Sequence, residues 1–350
     1  MKYLFFSKLS FKSFYSALLA AWALMFSFHS AYAQNKDAKV VVAYLTSWTQ
    51  VLPDPSVVTH INYAFAHVND SFNGLRIDNT QRLEKIVALK QTHPELKVLL
   101  SVGGWGSGRF SEMAADDNLR TSFAKDCARV VDQFNLDGID IDWEYPTSKA
   151  AGISASDQDT DNFTLLMKDI RKAIGNDKLL TLASVASGQY IDFAAINQTV
   201  DFVNIMTYDS GNPPSHHAAL YRSEHSGGVT CQEAVANHIA KGMPADKLVL
   251  GIPFYGRGDK DQIDGFIDYK KILKLSGYQK MWDDIAKADY LVDSNGKFVL
   301  TFETPESIAL KCAFAHAQGL KGAMYWEYAG DTEDGVLSKA VWNGIFNNQN

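Results

Sequence analysis

The sequence predicts a (β/α)8 TIM barrel with a small α+β insertion between its seventh strand and the helix that follows. Three observations lead there. Eight short apolar, β-branched runs recur over residues 34–350, and helical patterns separate most of them. No glycine-rich phosphate loop follows the first run, where an open doubly wound sheet would carry one; Tyr44-Leu-Thr-Ser-Trp48 stands there instead. Near-continuous apolar strands alternating with helices imply a buried parallel sheet. Eight such units in about 310 residues suit a barrel, whose usual range is roughly 200 to over 400.

Taken in order, strands are expected at Val40–Tyr44, His60–Ala66, Lys97–Val102, Gly138–Asp142, Leu179–Val185, Phe202–Met206, Leu248–Ile252 and Gly322–Trp326. Helical periodicity falls at Thr80–Gln91, Asn118–Phe134, Gln158–Ile174, Thr230–Lys241, Pro305–Gln318 and Leu337–Phe346. Thr230-Cys-Gln-Glu233 has the form of a capping box, and Thr304-Pro305-Glu306 places proline at a first helical position. Residues 254–304 form the expected insertion. Within it, Tyr290-Leu-Val-Asp and Lys297–Phe302 flank Ser294-Asn295-Gly296, a hairpin signal. One helix and one hairpin are expected there. No linker-like stretch divides residues 34–350, which read as one catalytic domain.

Residues 1–33 have the pattern of a secretory signal. Lys2, Lys8 and Lys12 precede an apolar run from Phe14 to Phe28, and Ala31-Tyr32-Ala33 supplies a small-x-small cleavage site. The run is shorter than the roughly 20 residues needed to span a bilayer, and Ser16 and Ser27 interrupt it. Cleavage would leave a secreted or periplasmic protein that begins near Gln34, with no membrane attachment.

The whole chain holds 33 basic and 40 acidic residues, a formal charge of −7. Without the three lysines of the leader, 30 against 40 leaves −10. Such a chain has no electrostatic reason to seek nucleic acid or an anionic membrane. Cys127, Cys231 and Cys312 are widely spaced and odd in number; Cys127 and Cys312 sit on helical patterns and read as small buried side chains. No Cys-x-x-Cys or Cys/His cluster indicates a metal. No metal or cofactor is expected, and a monomer is.

The densest chemistry lies in Asp137-Gly-Ile-Asp140-Ile-Asp142-Trp-Glu144-Tyr-Pro146. Side chains alternate along a strand, so Asp140, Asp142 and Glu144 share one face and Ile139, Ile141 and Trp143 the other. In a barrel the acids point inward and climb toward the C-terminal rim, where barrel active sites lie. Residues two apart on a strand are about 6.6 Å apart. Two unit charges at that distance repel by roughly 2.5 kcal/mol at an effective dielectric near 20, almost two pKa units. Asp140 and Asp142 are therefore expected to share a proton, and Glu144 to have a raised pKa, as a general acid requires. A calcium loop would place polar, turn-forming residues between the acids. A divalent-metal site and a purely structural strand are weaker readings, the latter because three buried carboxylates are costly. Asp137 has the opposite parity and is expected to shape the start of the strand.

The octet Asp137–Glu144 resembles the signature of glycoside hydrolase family 18, the chitinases and their relatives. Four further segments resemble that family's strand motifs in order: Ser101-Val-Gly-Gly104-Trp105, Met206-Thr-Tyr208-Asp209, Gly251-Ile-Pro-Phe-Tyr255-Gly-Arg257 and Met324-Tyr-Trp326-Glu327. The resemblance covers about residues 40–345. It implies hydrolysis assisted by the substrate, outside the two-carboxylate scheme. Glu144 would protonate the glycosidic oxygen, and the sugar's N-acetyl oxygen would attack the anomeric carbon. Asp142 would orient the acetamido group, Asp140 would hold Asp142 and exchange its proton, and Tyr208 would donate to the acetyl oxygen. Ser101 would bond to Asp140, and Trp326 would floor the sugar. Gly104 and Tyr255 belong to the motifs that border the site. Tyr44, Phe65 and Met206 either line the pocket or fill the barrel. Trp105 and Trp48 follow strands at the rim, where sugar stacking is expected. Arg257 either contacts substrate or pairs with Asp209. His216-His217 reads as a solvated turn, and Gly106-Ser-Gly108 and Gly256-Arg-Gly258 as flexible loops.

The resemblance implies a secreted chitinase acting on chitin or chito-oligosaccharides. Its rivals are an endo-β-N-acetylglucosaminidase acting on N-glycans and a non-catalytic chito-oligosaccharide lectin. The lectins of the family typically lose the terminal acid, whereas Glu144 is present. The insertion resembles the family's α+β insertion but looks short, which leaves groove depth open.

Overall fold

Along the first strand, β1 (Val40–Thr46), parity sorts the side chains. Val41, Ala43 and Leu45 join the large apolar layer beneath the helices, while Val40, Val42 and Tyr44 join a smaller cluster inside the barrel. The same alternation holds around a closed ring. A computed structural model describes residues 38–347, and the described residues from Lys39 onward belong to one compact unit. The remaining barrel strands are β2 (His60–Val68), β3 (Lys97–Gly103), β4 (Gly138–Asp142), β5 (Leu179–Val185), β6 (Phe202–Met206), β7 (Leu248–Pro253) and β8 (Gly322–Trp326). Each pairs in parallel with its sequence neighbour, and β1 pairs with both β2 and β8, which closes the barrel. The expected signal at 1–33 lies outside the described residues. Among the described residues no helix is long and apolar enough to cross a membrane.

The helices fall where periodicity places them, within two residues at the ends except for the first. They are α1 (Thr80–Val87), which passes into a 3-10 turn at Ala88–Gln91, α2 (Phe110–Ala115), α3 (Asp117–Gln133), α4 (Asp159–Ile174), α5 (Phe193–Ile196), α6 (Cys231–Ala240), α7 (Tyr269–Ile272), α8 (Pro305–Ala317) and α9 (Val336–Phe346). The short α2 and α5 carry too few turns to show a period, whereas α7 is the one helix expected within the insertion. Asp116 caps α3 by accepting from Asn118 N and Leu119 N. Thr230 and Glu233 form the expected capping box at α6. Cys127, Cys231 and Cys312 are all buried and free.

The insertion is larger in strand content than one helix and one hairpin. It contains a five-stranded antiparallel sheet in the order Ile267–Asp268, Tyr255–Gly258, Phe298–Phe302, Ala288–Val292 and Gln279–Asp283, together with α7. The hairpin around Asn295-Gly296 is present between two of these strands. Gly256-Arg257-Gly258 is a strand of this sheet, not a flexible loop. A Cβ on Gly256 would sit 2.8 Å from Thr301 O, and one on Gly258 2.5 Å from Asp264 O. The glycines serve close backbone packing, which sequence alone does not separate from flexibility.

A fully buried ion pair ties this insertion to the barrel. Lys311 on α8 donates to Glu303, which follows the Phe298–Phe302 strand, and to Ala218 O at 2.6 Å in the loop after β6. Burial alone would lower the Lys311 pKa, yet the Glu303 carboxylate beside it carries it above the ordinary value. Ser307 Oγ donates to the other Glu303 oxygen at 2.7 Å. Removing the cation would leave a buried carboxylate uncompensated. Lys311→Met should therefore cost about 3–5 kcal/mol in urea unfolding, and Lys311→Met with Glu303→Leu should recover much of it. A loss below about 1 kcal/mol for the single variant would show that water reaches Glu303.

Candidate active site

β4 delivers the acids as its parity dictates. Ile139, Ile141 and Trp143 lie in the layer under the helices, and Asp140 and Asp142 are buried inside the barrel. Asp137 anchors the strand's start: its Oδ2 accepts from Val98 N at 2.9 Å and Lys90 Nζ at 2.7 Å. Asp140 is fully satisfied by neighbouring strands. Its Oδ2 accepts from Tyr44 Oη of β1 and Ser101 Oγ of β3, both at 2.8 Å. Its Oδ1 accepts from Thr181 Oγ1 of β5 at 2.5 Å and Asn204 Nδ2 of β6 at 3.2 Å. Burial raises the Asp140 pKa, and these four bonds pull it part of the way back.

Asp142 differs in having no such cradle. Its Oδ1 is buried and has no hydrogen-bond partner among the described residues. Burial, then the charges of Glu144 and Asp140, push its pKa well above the usual range. A proton shared directly between Asp140 and Asp142 is not what the hydrogen bonds show, because four other donors occupy Asp140. Glu144, just beyond the strand, is pushed up to about 7, chiefly by burial; contact with Tyr145 opposes the shift and the Asp209 charge adds to it.

Two glycines bring β3 close enough to hold this strand. Gly103 has φ +131°, and a Cβ there would lie 2.0 Å from Asp142 O; Gly104, at φ +92°, donates its N–H to the same oxygen at 2.8 Å. A Cβ on Gly104 would also lie 2.6 Å from the Phe65 ring. Gly104 thus acts through backbone approach, not through a side-chain contact.

These acids open into a cavity of about 920 Å³ bordered by residues of seven barrel strands and by Tyr255, Arg257 and Phe266 of the insertion. Trp326 lies between Phe65, stacked at 5.6 Å and 20°, and Tyr44 at 5.8 Å. Phe65 and Tyr44 therefore line the pocket and also brace the indole. Met206 borders the cavity from β6, and Trp48 and Trp105 stand exposed at the rim. Tyr208 faces Asp142, Asp209 and Glu144; burial, then those charges, keep its hydroxyl protonated well above its ordinary range. Among the described residues that hydroxyl's hydrogen-bond contact is Met324 Sδ at 3.9 Å.

Asp209 organises the wall opposite Trp105. Arg257 Nε and Nη2 donate to its two oxygens at 2.7 and 2.6 Å, and Tyr255 Oη donates to Oδ1 at 2.8 Å. Burial opposes its charge, but His217 and the Arg257 guanidinium outweigh it and hold the carboxyl far below its usual range. Arg257 both pairs with Asp209 and borders the cavity. His216-His217 is not a solvated turn. His216 is buried, with Nε2 3.2 Å from Asp283 Oδ2 and Nδ1 3.4 Å from Thr301 Oγ1. His217 is buried with Nδ1 3.6 Å from Asp209 Oδ1. The inserted sheet covers this loop, and burial pushes the His216 pKa down to about 4.

Thr181, Asn204, His67, Tyr145 and Phe266 were missed by sequence reasoning. Thr181 and Asn204 share inward parity with Asp140 and Met206, so strand alternation could have found them. His67 is a rim residue without a motif, Tyr145 directly follows Glu144 at the end of the acidic stretch, and Phe266 comes from the insertion. Among the described residues, no group of three or more His, Cys, Asp or Glu is arranged to hold a metal.

Comparison with known proteins agrees with this geometry. The model of the family described as glycosyl hydrolases family 18 matches residues 40–331. Chitinase A1 of Niallia circulans is 30% identical over 93% of this chain, and the match spans 61% of that protein's length. Probable chitinase 2 of Drosophila melanogaster is 30% identical over 85% of the chain and 72% of its own length. Among solved structures, a glycoside hydrolase family 18 N-acetylglucosaminidase from Paenibacillus barengoltzii superposes with a TM-score of 0.80 at 32% identity, covering 87% of this chain and 99% of that one.

Proposed function

We propose, for a chain that belongs to glycosyl hydrolases family 18, the hydrolysis of β-1,4-linked N-acetylglucosamine polymers, with the substrate's own acetamido group as nucleophile. The observation that carries the reading is the placement of the acids. Asp142 and Glu144 rise from one strand, β4, and Trp326 ends β8, four places away in the closed ring. A protein nucleophile would need a carboxylate across the sugar from the acid. The wall across from Glu144 offers an indole instead, and Asp209 is engaged by Arg257 and Tyr255.

Glu144, protonated up to about pH 7, donates its proton to the glycosidic oxygen as the C1–O bond breaks. The acetamido oxygen closes on C1 and forms an oxazolinium ion. Asp142, with a buried oxygen unpartnered among the described residues, accepts the acetamido N–H and fixes the group for attack. The positive charge of the cyclised ring relieves the crowding of negative charge around Asp142, so the site favours the intermediate over the substrate. Tyr208 donates to the acetyl oxygen. Asp140 stays held by its four donors beneath Asp142. Water, deprotonated by Glu144, then opens the ring from the face the leaving group vacated. The names of the relatives favour chitin and its oligomers as substrate. The retained Glu144 favours catalysis over a lectin role.

Two displacements at one carbon restore configuration, so proton NMR during early hydrolysis of a chito-oligomer should show the β-anomer first. An initial α-anomer would mean that water attacks directly and would overturn the mechanism.

Export is part of the same proposal, carried by the Lys2–Ala33 pattern. Amino-terminal sequencing of protein recovered outside the cytoplasm should begin at or near Gln34. Met1 retained on a membrane-bound form would contradict it.

A further inference from the structure

The inserted sheet gives the cavity one aromatic side chain that no strand motif announces. Phe266 immediately precedes the short strand Ile267–Asp268, which pairs antiparallel with Tyr255 and Gly256. Its ring stacks on Tyr255 with centroids 4.2 Å apart and planes at 18°. The Arg257 guanidinium lies 5.5 Å from its centroid, and Arg257 Nη1 donates to Gly265 O at 3.4 Å. So fixed from behind, Phe266 is nevertheless 44% exposed, and it borders the cavity.

Its place in the ring suggests what the exposed face meets. β7 lies four strands from β3, and β4 lies four strands from β8. The wall bearing Phe266 thus faces the wall bearing Trp105, and a line between them crosses the line from Glu144 to Trp326. A sugar chain presented to Glu144 over Trp326 would run from one exposed aromatic toward the other. We propose that Phe266 is a platform for a further sugar unit of a β-1,4-N-acetylglucosamine oligomer, beyond the unit held over Trp326. A pyranose ring shows an apolar face of C–H groups, which an aromatic ring with one free face complements. Because Tyr255 already holds the ring, little side-chain freedom is lost on binding. This inference rests on the functional reading above.

Calorimetric titration in the Glu144→Gln background, which binds without turnover, tests it. Phe266→Ala and Phe266→Leu should weaken binding of the N-acetylglucosamine hexamer by about 3- to 10-fold, whereas Phe266→Trp should stay within about twofold. A monosaccharide thiazoline that mimics the cyclised intermediate should bind all four proteins equally. Unchanged hexamer affinity in Phe266→Ala, or full affinity in Phe266→Leu, would overturn the platform. A parallel loss of thiazoline affinity would also overturn it, by showing that Phe266 acts only through Tyr255. If the Glu144→Gln parent binds no hexamer, the functional reading itself falls, and this inference with it.

Discussion

Asp140 can lie beneath Asp142 and Glu144 only because β1, β3, β5 and β6 each turn a donor toward it. Three hydroxyls and one amide take up both of its oxygens. An unpaired buried carboxylate would cost several kcal/mol, and bonds to a charged acceptor offset about 1.5–3 kcal/mol each. The cradle therefore fixes more than one side chain. It requires a closed barrel, since donors on both sides of β4 must converge on one point. It also leaves the next acid up without donors of its own, so that burial, then the charges of Glu144 and Asp140, raise the Asp142 pKa.

From that base the site divides by wall. The β4 wall carries the titrating acids, and the β8 wall an apolar plate braced by Phe65 and Tyr44. Between them, charges cancel within hydrogen-bonding distance, Asp209 in the loop after β6 against Arg257 of the inserted sheet. This division keeps one carboxyl available as an acid while its neighbour Asp209 stays ionised. The inserted sheet supports the latter arrangement: it supplies Tyr255 and Arg257 directly and buries His216 and His217 behind Asp209. Lys311 and Glu303 join that sheet to α8 and to the loop after β6.

Much of this was legible in the sequence because period-two alternation is a strict rule. It placed Asp140, Asp142 and Glu144 on one face, and eight apolar runs announced the ring. What failed lay where local pattern and tertiary cover diverge. His216-His217 sits among Pro, Ser and Asn and reads as a turn, and only the sheet laid over it makes it core. Gly256 and Gly258 read as flexibility because a glycine needed for close packing looks the same in sequence. Asp140 is held by donors from four other strands, and pairwise repulsion along β4 carries no sign of them. Phe266 had no signal, since a single aromatic in an irregular insertion has no period to belong to.

The central claim is that burial on the β4 face keeps Glu144 protonated to near neutrality. The sign follows from the shift: a carboxyl whose pKa is raised from 4.5 to about 7 is mostly neutral below that pH and loses its proton as pH rises through it. Infrared difference spectroscopy of the carboxyl C=O stretch, with Glu144→Gln subtracted, reads that titration directly. The account predicts a Glu144 band that disappears with a midpoint near pH 7. A midpoint near 4.5 would contradict it, because the acid would then be ionised at neutral pH and unable to protonate a leaving group.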